Sequence, residues 1–157
     1  MGAYASSEVL LFLHADTLLP GNAFPVLRSF FRRDDVKVGT FRLSFDTSDW
    51  LLKSYAYFSR FDSVFTRFGD QCIVVRSDFF ESLRGFPDWP LFEDIDFLRL
   101  ARSKTRVHSF PMAVTTSARR YLNNGIVRQQ LRNALLVVRF LLKSPVADLA
   151  LRYDDKR

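Results

Sequence analysis

The chain has 157 residues, about one domain's worth, with 48% hydrophobic and 25% charged side chains, a balance that speaks against a disordered chain or a coiled coil. A net charge of +6, from 23 Lys and Arg against 17 Asp and Glu, favours anionic partners or else marks an ordinary solvated basic surface. The single cysteine, Cys72, excludes an intramolecular disulfide and fits a reducing, cytoplasmic compartment. The opening residues have no basic stretch leading into a long apolar one, so no signal peptide is expected, and no apolar run approaches the ~20 residues that span a bilayer.

Val9 to Leu13 is a continuous apolar run, VLLFL, which predicts a central parallel strand buried on both faces. His14, Ala15, Asp16 and Thr17 follow at its carboxyl end. Pro20 and Gly21 break the run, and Ala23 to Arg33 has helical spacing, with Pro25 tolerated in the first turn. Val36 to Phe45 alternates, with Phe41, Leu43 and Phe45 on one face and Arg42 and Ser44 on the other, which predicts a strand. Apolar residues recur every third or fourth position from Trp50 to Phe68, predicting one helix or two short ones.

Cys72 to Val75 reads as another strand, and Ser77 as the N-cap of a short helix over Asp78 to Arg84 that Gly85 stops. After the rigid turn Phe86-Pro87-Asp88-Trp89-Pro90, residues Glu93 to Arg102 form a helix with acids at its start and bases at its end. Thr105 to Phe110 is a strand ending before Pro111. A basic apolar helix spans Val127 to Leu142, and a last one spans about Val146 to Tyr153. Strands alternating with helices predict a single α/β domain, a mostly parallel sheet flanked by helices, with ligands at the carboxyl ends of the strands.

Chemistry gathers in four places. Strand periodicity would put His14 and Asp16 on one side, where a carboxylate can hold a hard divalent cation; a turn-forming Asp is the plainer reading. Glu93, Asp94 and Asp96 open a helix, whose dipole favours the charged form that a general base needs, although dipole complementarity alone explains acids there. Gly69-Asp70-Gln71 could set an acid and an amide at a cleft rim, or form a simple turn. Arg119, Arg120 and Tyr121, after Thr115-Thr116-Ser117, suit phosphate oxygens or a solvated basic loop. His108 reads as structural.

Five segments in order, LLFLHADTLLP (Leu10 to Pro20), VGTFRLSFD (Val38 to Asp46), GDQCIVVR (Gly69 to Arg76), RGFPDWPLFEDIDFLRL (Arg84 to Leu100) and VTTSARRY with Gly125 and Arg128, resemble glycosyltransferase family 2, the inverting enzymes of GT-A fold. The likeness is closest to the radical-SAM/selenodomain-associated transferase branch and runs nearly end to end. It implies a nucleotide-sugar donor, an acceptor hydroxyl of unknown identity, and Mg²⁺ or Mn²⁺ held by Asp16 with His14 in place of the family's first acid. Asp94 would be the base, oriented by Glu93 and Asp96; Gly69, Asp70, Gln71, Trp89, Arg119, Arg120 and Tyr121 would bind substrate. Tyr121 stands where the branch usually has Trp. The family's opening strand-helix-strand unit has no counterpart before Val9, which predicts a truncated GT-A fold, weak or incomplete activity of this chain alone, and an uncovered strand edge that favours homo-oligomers.

The alternative from another class is a non-catalytic binding or assembly module derived from such an enzyme. A nucleic-acid-binding role is not expected, because the basic and aromatic residues are spread over many elements. On the tail helix, Leu131, Leu135, Val138 and Leu142 form a stripe beside Arg128, Arg132, Arg139 and Lys143. It would either touch the inner face of a membrane or a partner subunit, or pack on the domain's own core.

Overall fold

The computed structural model describes residues 7–63, 69–89 and 91–142. The elements in chain order are strands β1 (Val9–Phe12) and β2 (Thr17–Leu18), helix α1 (Ala23–Phe31), β3 (Val38–Phe45), α2 (Trp50–Phe58), a 3₁₀ turn (Gly69–Gln71), β4 (Ile73–Arg76), α3 (Ser77–Ser82), α4 (Glu93–Lys104), β5 (Val107–Thr116), α5 (Arg119–Asn124) and α6 (Ile126–Leu141). The part of the expected Trp50–Phe68 helix beyond residue 63, and the expected Val146–Tyr153 helix, lie outside the described residues. The α/β class holds, but the sheet is mixed and not mostly parallel. Its order is β1-β4-β3-β5-β2. Only β3 and β5 run parallel, while β1–β4, β3–β4 and β2–β5 are antiparallel.

The expectation of a central parallel β1 is corrected in the same way: among the described residues β1 is at one edge, paired with β4 alone and antiparallel to it. Its apolar run reports two covered faces, not a central position. Leu10 and Phe12 pack with Val75, Phe80 and Phe97 on one side, while Val9 and Leu11 pack with Val74, Phe41 and Leu52 on the other. Helices α3 and α4 supply the first cluster, and α1 and α2 the second. The alternation in β3 follows the same division: Phe41, Leu43 and Phe45 are all buried in the second cluster.

Two local corrections have simple causes. Strand β5 runs straight through Pro111, because the register against β3 slips between Thr40 and Arg42. A proline without an N–H is harmless at such a bulge. Ser77 is the first residue of α3 and not its cap; Arg76 stands at the cap without a side-chain cap bond, and Asp78 in the first turn accepts from the Phe79 N–H at 2.7 Å. Close approach of β3 to β5 depends on Gly39, where a Cβ would fall 2.9 Å from the His108 carbonyl oxygen and 2.7 Å from the Phe110 ring.

Side chains tie the layers to the sheet. The Arg76 guanidinium donates to the Phe31 carbonyl at 2.6 Å and to the Val36 carbonyl at 3.0 Å, closing the end of α1. Asp49 caps α2, accepting from Leu51 at 2.8 Å and Leu52 at 3.2 Å. At the other end of α2, the buried Ser59 hydroxyl accepts from the Leu43 N–H at 2.9 Å, beyond the stretch of β3 that pairs with β4. A backbone donor that would otherwise be orphaned inside the protein is thereby satisfied.

Candidate functional site

Asp70 sits in the 3₁₀ turn before β4, and its carboxyl is withdrawn from solvent, with Oδ1 buried and without a hydrogen-bond partner. Burial, first, and then the charge of Asp94 push this carboxyl from 3.8 up to about 7; Asp16 adds to the rise, while His14 and the Gln71 backbone oppose it. Three segments distant in sequence therefore bear on the charge of one carboxyl: the β1–β2 turn, the 3₁₀ turn itself, and the start of α4. Of the residues expected in the site, His14, Asp16 and Asp94 lie within electrostatic reach of Asp70, and the fully buried Gln71 follows Asp70 in the chain. Cys72, next in the chain, is buried too, and its thiol is pushed up to about 12 by that burial.

The route by which they approach Asp70 differs from the expected one. β1 ends at Phe12, so His14 and Asp16 stand in a turn and strand periodicity does not align them. The turn is closed by the Thr17 N–H donating to the His14 carbonyl at 3.1 Å, and pinned by the Ser117 N–H on the Asp16 carbonyl at 3.2 Å. A buried hydroxyl bond between Thr17 and Thr116, 3.0 Å, fixes β2 to the end of β5. Backbone strain brackets the cluster: Cys72 after Asp70, and Phe92 before Glu93, both have left-handed φ, 55° and 66°. Non-glycine residues hold such angles only where packing overrides the cost.

Glu93 and Asp94 open α4 as expected, both half-buried. Asp96 is engaged elsewhere, accepting from Arg99 at 2.7 Å one turn along. Trp89 places its ring edge-on to Phe140, 5.8 Å between centroids. The Tyr121 ring is half-buried against Phe45, 5.4 Å away, and its hydroxyl accepts from Asn133 at 3.3 Å. Arg119 and Arg120 project as exposed cations from α5, whose first turn is held by Asp46 accepting from the Ala118 N–H at 2.7 Å.

Two features were not singled out from sequence. Tyr55 adjoins the cluster from α2, its phenol raised well above 10.0 by burial, by the charge of Asp70 and by Tyr121. In sequence it is one more ring in a helical stripe, and no signal separates it from core. At the opposite end of β5, a cleft of about 480 Å³ is lined by Arg33, Arg60 and Arg106 with Phe30, Phe61 and His108. Its arginines come from three separate loops, which no local pattern connects.

Among the described residues, no three His, Cys, Asp or Glu side chains stand where they could hold a metal ion by themselves. Compared with protein-family models, with curated proteins and with solved structures, the chain matches none.

Proposed function

We propose that the cluster around Asp70 is the active site of an inverting, nucleotide-sugar-dependent glycosyltransferase of GT-A type. The observation that carries this reading is the buried, partnerless Oδ1 of Asp70 within electrostatic reach of Asp94, Asp16 and His14. Acids acting on one another's charge at the end of β5 suit a cation-bound diphosphate and a general base. The resemblance of the five sequence segments supplies the reaction class.

Asp16 and His14 would hold Mg²⁺ or Mn²⁺, which supplies charge neutralisation for the departing diphosphate. Two protein ligands are enough for this purpose, since Mg²⁺ in such sites takes one or two carboxylates and completes its shell with phosphates and water. Asp94 takes the proton of the acceptor hydroxyl. The acceptor oxygen then bonds to the anomeric carbon on the face opposite the diphosphate, the bond to that leaving group breaks, and the configuration inverts. Asp70, carrying a proton for part of the time near neutrality, lowers the repulsion between Asp16 and Asp94 before the substrates arrive. Arg119 and Arg120 would meet the phosphate oxygens.

Calorimetric titration with a panel of nucleotide sugars, with and without Mn²⁺, tests this reading. Binding of one donor that depends on Mn²⁺ and is lost in Asp16→Ala is the expected result. No donor bound under either condition would leave the protein a non-catalytic module and end the proposal.

A further inference from the structure

Helix α6 has two apolar faces, and the protein uses one of them. The buried face, Leu136, Val137 and Phe140, packs against Ile95 and the Phe92 ring, whose centroid is 5.0 Å from that of Phe140. At about 3.6 residues per turn, a second stripe lies diametrically opposite: Val127, Leu131, Leu135, Val138 and, at the helix cap, Leu142, each between 41% and 76% exposed. Single exposed leucines are ordinary, but five apolar residues in one unbroken stripe are a surface that water disfavours. Of the two readings that the sequence allows, packing on the domain's own core is therefore corrected for the described residues.

The charges on the helix indicate what covers the stripe. Arg128, Arg132 and Arg139 run along one flank, between the exposed stripe and the buried face, and α6 contains no carboxylate. Two copies paired antiparallel through the stripe would set their arginine rows side by side, with no carboxylate of either helix between them. An anionic lipid surface instead offers acyl chains to the stripe and phosphates to the guanidiniums. No helix among the described residues is long and apolar enough to cross a membrane, so α6 would lie in the plane of the surface.

We propose that α6 is an in-plane docking helix for an anionic membrane surface, its leucine stripe entering the boundary between headgroups and acyl chains and its three arginines meeting lipid phosphates. The inference stands on the helix alone and does not depend on the catalytic reading. Because the other face of α6 rests on Phe92 and Ile95, which flank Glu93 and Asp94, docking holds the acidic cluster one helix away from the lipid.

Cosedimentation of the full chain with phosphatidylcholine vesicles, with and without phosphatidylglycerol, tests this at low salt. Binding only to the anionic vesicles is expected. It should weaken roughly a hundredfold when Arg128→Gln, Arg132→Gln and Arg139→Gln are combined, and vanish in Leu131→Ser with Leu135→Ser. All five sites avoid the buried clusters, so an unchanged melting temperature and circular dichroism should accompany the loss. Failure of the parent chain to bind anionic vesicles, or equal binding by parent and variants, overturns the proposal. So does a parent dimer in light scattering that Leu131→Ser with Leu135→Ser turns into a monomer, which would assign the stripe to a second copy. Refusal of a Leu135→Cys thiol to react with maleimide overturns it as well, since the chain itself would then cover the stripe.

Discussion

The two ends of β5 treat charge in opposite ways. At its start, around the cleft of Arg33, Arg60 and Arg106, the nearby carboxylates are met by guanidiniums: Asp35 by Arg33 at 2.8 Å and Asp62 by Arg102 at 2.9 Å. At its end, where Ser117 holds the Asp16 backbone, carboxylates act on one another: the Asp70 carboxyl is pushed up by its burial and by the charges of Asp94 and Asp16, with His14 opposing the rise. Opposite charges paired near water favour the ionised form of both partners. Desolvation combined with like charge leaves a site that only a proton or a bound cation relieves.

The sharpest way to break this contrast is Asp70→Asn. A carboxyl carried from 3.8 to about 7 keeps its proton in the folded state over a pH range where the unfolded chain has lost it. Stability therefore falls as pH rises between those two values and is level above them. The difference amounts to on the order of 3–4 kcal/mol at pH 8, an amount that Asp70→Asn should restore, with little change at pH 4. Urea unfolding at both pH values measures it, and parallel pH profiles for the two proteins would sink the account of Asp70.

Asp94→Asn comes next. If Asp94 is the base, turnover with the donor found by titration should fall about 100-fold, with the melting temperature preserved. Asp96→Asn should cost far less, because that carboxylate is already held by Arg99. Equal losses in the two variants would mean that α4 contributes its general negative charge and not one particular base.

Gly39→Ala perturbs the strand pair that connects the two ends. A methyl group 2.9 Å from the His108 backbone carbonyl must push β3 and β5 apart, at a cost of about 1–3 kcal/mol. A thermal melt unchanged from the parent would show that the pair yields more easily than its close packing implies.

Much of this arrangement is legible in the sequence, and the part that is not has definite reasons. The alternation of Phe41, Leu43 and Phe45 identifies a strand with two differently covered faces, and three acids in the first turn of α4 follow the helix dipole. Both are local signals, which survive because tertiary packing agrees with them. The edge position of β1 is not local: Val9 to Phe12 would read the same in the middle of a sheet, since helices cover both faces in either place. Pro111 misleads because a bulge depends on the partner strand. The raised carboxyl of Asp70 depends on its packing against β3 and β5 and on the charges of Asp94 and Asp16 arriving from elsewhere, so a three-residue turn motif could not disclose it.

The smallest expected effect is at the paired end, and it is the control for all the others. In Asp35→Asn the lost partner is Arg33, whose guanidinium is 59% exposed and returns to water with its hydration intact. Asp35 is held below its ordinary range chiefly by the hydrogen bond from Arg33, so whatever the pair adds is present above 3.8 and lost as pH falls below it, the reverse of Asp70. Exposure and salt screening reduce that contribution to the small values usual for surface pairs. Denaturant midpoints of Asp35→Asn and the parent should therefore coincide at pH 8, with the pH profile of Asp70 undisturbed in both. A clear drop in the Asp35→Asn midpoint that disappears in high salt would reveal a coupled arginine network around the cleft, and the contrast between the two ends would then be one of degree.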